Sequence, residues 1–261
     1  MKGMMVPKIR LSTEQDLRQV PPLKFLVTQV ITLKRAQEND FAFLCDINLK
    51  QDCPEYNGYN TQLSRKNGVL PQPKSTVSFM PLIDLPPAQH DTILTSLEKG
   101  LSLVKNNGNG VLIFTADQQL YKIVIDIMFH QPSYFKLVVP VLGGMHMLMN
   151  FIHAISIIMS GSGLKEILAS SFESVDKMLS GKKYPQNFRA MRMLVEELLE
   201  CVVQDEQVSS FSDLTRLLDD RASQSRTTRL WTNNVIKATL IMMNFSRARH
   251  EADTPLHISA A

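Results

Sequence analysis

Between residues 76 and 159, short apolar runs alternate with amphipathic stretches, and this alternation constrains the fold more than any other feature of the chain. "TVSFMPLIDL" (76–85), "VLIFTA" (111–116) and "FKLVVPVL" (135–142) have the length and β-branched content of strands. Pro86-Pro87 suits the start of a predicted helix over 88–105, which "KNNGNG" closes. A second helical pattern spans 118–130, and Gly143-Gly144 makes a turn into a third over 145–159. Strand, helix, strand, helix, strand, helix is the order of an α/β layer with parallel pairing. Apolar runs without polar alternation are what strands covered on both faces contain.

Upstream, "LKFLVTQVITLKRAQ" (23–37) reads as a helix and "FAFLCDINL" (41–49) as a further strand. From 163 onward every apolar pattern has helical spacing. The expected organisation is an N-terminal helical segment (1–40), an α/β core (41–160) and a helical C-terminal subdomain (161–261).

The run "LVVPVLGGMHMLMNFIHAISIIM" (137–159) has the length of a membrane span. It carries Pro140, two glycines, His146, Asn150 and His153, which are costly in hydrocarbon, so a strand, a turn and a buried helix are expected instead. Three cysteines without CxxC spacing argue against a disulfide scaffold and for an intracellular setting. No apolar core of signal-peptide length occurs in "MKGMMVPKIRLSTEQ". The net charge of +3 is too small to diagnose a polyanionic partner; where the charge sits matters more.

Two predicted strands end on carboxylates, Asp46 and Asp117. Ligands of open α/β sheets bind beyond the carboxyl ends of strands. Asp117 would therefore face a crevice, or cap the following helix, and these roles are compatible. Asp46 either meets it across adjacent strands or opens the turn "DINLKQD". Paired carboxylates suit Mg²⁺, a hard cation that takes oxygen ligands, and paired metals clamp both oxygens of a phosphodiester displacement. Glu196, Glu197 and Glu200 are candidates for a third acidic ligand. His146, Asn150 and His153 share one helix face, while Met145, Leu148, Ile152, Ile155 and Met159 make an apolar one. That histidine stripe either supports a metal or phosphate site or fills a core position. Gly143-Gly144 lacks a phosphate-loop spacing and reads as a tight turn.

Basic residues gather late. Lys182, Lys183, Arg189 and Arg192 are followed by Arg216, Arg221, Arg226, Arg229, Lys237, Arg247 and Arg249. Such faces neutralise phosphates or are simply solvated. Lys182, Lys183, Arg226 and Arg229 are the candidate nucleic-acid contacts.

Several stretches together resemble a family of transposon-associated proteins that occur in many copies in animal genomes. They are "TVSFMPLIDLPP", "VLIFTADQQLYK", "VLGGMHMLMNFIHAISIIMSGSGL", "KMLSGKKYPQNFRA" and "RLWTNNVIKATLIMMNFSRARHEADTPLHISAA". The order is Thr-x-Asp-Gln, Gly-Gly-x-His, Gly-Ser-Gly, Ser-Gly-Lys, Leu-Trp and Leu-His, over about residues 76–261. The strand–Asp–helix–strand–His-helix order is also similar to the middle of RNase H-like transposases. That likeness implies an RNase H-like mixed sheet with flanking helices. It makes Asp46 and Asp117 the metal-binding catalytic aspartates, His146 an auxiliary catalytic histidine, and Mg²⁺ the cofactor. It implies an ancestral DNA phosphodiester cleavage or strand transfer. The family pattern continues past the Leu-His segment, which implies a truncated copy in which catalysis is incomplete or lost. The alternative is a non-catalytic nucleic-acid or protein-binding module on the same fold. A DNA partner would place it in the nucleus; no membrane association is expected.

Overall fold

Two β-branched runs form strands where their sequence calls for them. Strand β1 (Leu112–Ala116) pairs in parallel with β2 (Val138–Leu142), Leu112 opposite Val138 and Ala116 opposite Leu142. The computed structural model describes residues 26–49, 52–66, 77–106, 108, 110–205, 208–251 and 256–257. In chain order the helices are α1 (Val27–Leu49), α2 (Tyr56–Lys66), α3 (His90–Asn106), α4 (Gln118–His130), α5 (Gly144–Ile158), α6 (Leu164–Ala169), α7 (Val175–Leu179), α8 (Tyr184–Asp205), α9 (Phe211–Gln224), α10 (Arg226–Trp231) and α11 (Ala238–His250). A π-helical turn, Thr232–Lys237, joins α10 to α11.

The expected α/β class with an RNase H-like mixed sheet is wrong. Among the described residues the sheet is two parallel strands, and the rest of the regular structure is helical. Two predicted strands are responsible. "FAFLCDINL" is the C-terminal part of α1. Its apolar residues satisfy both periods, because Phe41, Phe43 and Leu44 are all buried. The helix is already running from Val27, and extending a helix costs far less than nucleating one. Ala36, Asp40 and Leu44 then fall four apart on one buried stripe. The second, 76–85, is not a strand over its described part, 77–85: Pro81 removes an amide from its middle, and Phe79 and Leu82 are 94% and 93% exposed. Much of the N-terminal segment and Thr76 lie outside the described residues.

The chain divides into two compact units. The first, over Val77–Met147, packs α3 and α4 on one face of the sheet. Ile93, Leu97 and Leu101 of α3 and Ile123, Val124 and Ile127 of α4 close its core with Val138 and the loop residue Phe135. Leu112 and Phe114 of β1 point into that core while Ile113 and Thr115 point away, so one face is covered and the other open. Gly100 brings α3 close to β1: a Cβ there would stand 2.9 Å from Leu112 Cδ2, and that side chain would have to shift.

The second unit combines residues 25–76 with 148–261. Helices α1, α8, α9 and α11 pack against one another around Phe43, Leu44, Met191, Val195, Leu199, Leu214, Leu218, Met242 and Met243. Of the apolar face expected of α5, Leu148, Ile152, Ile155 and Met159 are buried, while Met145 is exposed. No described helix is long and apolar enough to cross a membrane.

Candidate nucleic-acid interface

Asp117 stands at the carboxyl end of β1, as its sequence position implies. Its Oδ1 accepts from Leu120 N at 2.8 Å, so it caps α4. The parallel register sets Gly143 beside it: Gly143 N donates to Ala116 O at 2.8 Å. His146 follows one turn into α5, its Cδ2 3.8 Å from where a Cβ on Gly143 would stand. Asp117 and His146 therefore belong to the same end of the small sheet.

Asp46 does not end a strand. It is on α1, in the other unit, and its Oδ2 accepts from Tyr59 OH at 3.0 Å. Burial and that carboxylate push the Tyr59 phenol up to about 12. Asp46, Asp52 and Cys53 line one shallow cleft of about 250 Å³, yet no group of three or more His, Cys, Asp or Glu side chains suited to a metal converges among the described residues. The adjacent-strand carboxylate pair expected for Mg²⁺ rested on a strand at 41–49, which is a helix. Of the candidate third acids, Glu196 lies 3.5 Å from Arg192 Nε on α8, and burial raises its pKa. His153 is exposed, and its Nδ1 lies 3.2 Å from Leu179 O.

The second unit holds a polar cluster that no short motif announces. Asp40, Tyr56 and Arg247 are each 1% exposed. Arg247 Nη2 donates to Asp40 Oδ1, and Tyr56 OH donates to the same oxygen at 2.7 Å. The hydroxyl also reaches Met243 O at 3.3 Å. Arg247 and Arg192 lie over the Tyr56 ring, 5.3 and 6.0 Å from its centroid. Burial pushes the Asp40 carboxyl up, and the Arg247 charge only partly offsets it. The Tyr56 phenol is raised further by burial and by Asp40. Arg247, counted in the sequence among the phosphate-facing residues, is instead a structural ion pair.

Beside this cluster a cleft of about 290 Å³ opens. Its lining is Glu55, Tyr56, Asn57, Tyr184, Pro185, Phe188, Arg189, Arg192, Ser246 and His250. Local sequence explains it. Tyr184 and Phe188 are four apart in the first turns of α8, so their rings share a face, centroids 6.3 Å apart. Arg189 and Arg192 follow on the same helix, with Lys182 and Lys183 just before it. Arg189 is exposed and pairs with Glu55 at 3.5 Å, while Arg192 is buried and its Nε lies 3.5 Å from Glu196 Oε1. Arg249 acts on the Tyr184 phenol, whose pKa burial raises and that charge lowers in part. Arg226 and Arg229 do not line this cleft: they sit on α10, exposed, with Arg229 Nε donating to Ala222 O at 3.4 Å. Sequence reading counted Lys182, Lys183, Arg189 and Arg192 but missed Tyr184, Phe188 and His250. The i, i+4 aromatic pair after a Lys-Lys step was the available signal.

A family model described as a domain of unknown function, DUF8702, matches residues 55–212, more than half of the chain. The chain belongs to this family. The matched region contains Asp117, His146, Tyr56 and the α8 side of the cleft, and it leaves out Asp40, Ser246, Arg247 and His250. Comparison with curated proteins and with solved structures finds no match.

Proposed function

We propose that the chain binds nucleic acid, without cleaving it, through the basic aromatic cleft at the start of α8. The observation that carries this reading is the arrangement of that cleft. Two side-by-side rings, Tyr184 and Phe188, stand among Arg189, Arg192 and His250, with Lys182 and Lys183 alongside in sequence. Cations that track phosphates beside rings that stack on bases are the combination single strands require, each stacked base contributing about 1–3 kcal/mol. Glu55 is the acidic residue among those lining the cleft, and Arg189 already pairs with it. The resemblance to transposon-associated proteins is in keeping with a polyanionic partner. The cleavage reading depended on two aspartates at adjacent strand ends. Asp46 is on a helix and holds Tyr59, so that reading has lost its scaffold.

The test is fluorescence anisotropy of a labelled oligothymidine titrated with the protein at several salt concentrations. Binding should weaken as salt rises, with a log–log slope of about 0.7 per phosphate neutralised. Arg189→Ala should reduce that slope by about one such step. Tyr184→Leu should weaken binding about tenfold with the slope unchanged. Absence of binding at low salt, or binding indifferent to both substitutions, refutes the assignment of this cleft.

A further inference from the structure

The first unit carries a strand edge and a strand-like segment, each without its partner. Among the described residues β1 pairs with β2 alone, and its other edge is open. Leu112 N donates to Leu137 O and Ala116 O accepts from Gly143 N, so these two residues face β2. By the alternation of a strand, the backbone groups of Ile113 and Thr115 face the open edge. The segment Val77–Leu85 is without helix or strand, and Val77, Phe79 and Leu82 are 77%, 94% and 93% exposed.

Topology says where such a segment belongs. Helices α3 and α4 cover the same face of the sheet. Crossovers between parallel strands are right-handed. A strand feeding α3 over that face must therefore lie parallel to β1 on the side away from β2, which is the open edge. Pro81 fits there if its nitrogen faces outward, as prolines on edge strands do. Ser78, Met80, Leu82 and Asp84 would then bond to β1. Val77, Phe79, Pro81, Ile83 and Leu85 would share one apolar face.

We propose that the Val77–Leu85 segment of one copy adds as a third parallel strand to the open edge of β1 in a second copy, and that the exchange is reciprocal. The hinge favours exchange over closure on the segment's own edge. Leu85 and Pro86 each precede a proline and are held extended, and Pro86 O is pinned to α3 by Gln89 N at 3.2 Å and Thr92 Oγ1 at 2.8 Å. Among the described residues the segment makes no ladder with its own β1, and Val77, Phe79 and Leu82 stay exposed. Covering its large apolar side chains buries on the order of 500 Å² per segment. Two segments reach the roughly 1,000 Å² that a stable interface needs. A two-fold dimer closes the exchange and leaves the β1 edge of neither copy free.

Light scattering after size exclusion of the full chain is the test. The expected mass is twice the 29.5 kDa of one chain. Phe79→Asp combined with Leu82→Asp should halve it, and so should Thr115→Pro, which removes an amide from the open edge while leaving the β1–β2 ladder intact. Circular dichroism should show both variants as helical as the parent. A monomer at every concentration overturns the proposal, as does a dimer that persists in both variants. A monomer whose 77–85 amides are protected from hydrogen exchange also overturns it, by placing the segment on its own edge.

Discussion

Replacing Arg247 by methionine removes one partner of a buried ion pair and leaves the other inside. Asp40 Oδ1 would keep the Tyr56 hydroxyl at 2.7 Å, while Oδ2 already has no hydrogen-bond partner. Breaking such a pair from one side typically costs about 3–5 kcal/mol. The cost should depend on pH, and the sign follows from Asp40. Burial already raises its folded pKa above the ordinary 3.8, and loss of the guanidinium raises it further. A carboxyl held above its unfolded value contributes most below that value and loses the contribution as pH rises through the folded pKa, by about 1.4 kcal/mol per pH unit. The deficit of Arg247→Met should therefore be largest at about pH 8 and smaller at about pH 5. Adding Asp40→Leu removes the stranded charge, and Tyr56 OH retains Met243 O as an acceptor at 3.3 Å. The double variant should recover to within about 1 kcal/mol of the parent. Urea unfolding followed by circular dichroism at both pH values measures all three proteins. A single variant that loses under about 1 kcal/mol, or a double variant no better than the single, would refute the buried-pair reasoning.

Asp117→Ala should cost about 1 kcal/mol by uncapping α4, whereas Asp117→Asn, an equally good cap, should be close to neutral in thermal melts. Ser210 caps α9 through Asp213 N at 3.1 Å, and Ser210→Ala should cost about as much in urea unfolding. Hydrogen bonds from Ser210 and Ser209 lower the Asp213 pKa. Its contribution is thus present above 3.8 and lost as pH falls through the depressed folded value, an acid sensitivity that Asp213→Asn should abolish in a pH titration of helicity. Gly181 has φ 81°, and a Cβ there would stand 2.8 Å from Met149 O, so Gly181→Ala should destabilise by about 1–3 kcal/mol in the same assay.

Helices were legible wherever the apolar period had no rival. The patterns at 88–105, 118–130 and 145–159 correspond to α3, α4 and α5, and the run after 163 is helical as read. Two strands and their parallel pairing were also legible, because Val138-Val139 and Leu112–Phe114 are short, β-rich and bounded by turns. What failed was arbitration of short apolar runs. "FAFLCDINL" carries buried residues at positions compatible with either period, and the helix running in from Val27 decides the matter. "TVSFMPLIDL" reads as a strand by composition, but a strand also needs a neighbour, which no local pattern supplies. Asp117 was legible as a helix cap because that signal is local. Asp40 and Arg247 could not be found as a pair, since each is an ordinary charged residue until two distant helices meet.

That meeting sets an order on synthesis. The ion pair joins residues 207 positions apart, and the unit it locks is interrupted by the whole of Val77–Met147. On a ribosome the stretch Val77–Met147 emerges whole while α1 still waits for α11. At ordinary translation speeds of 5–20 residues per second, that wait is roughly 10–40 s. Throughout it Asp40 has no guanidinium, and Phe43 and Leu44 lack part of their core. A chain ending before Arg247 would keep the matched family region and lack the residue that fastens its first helix.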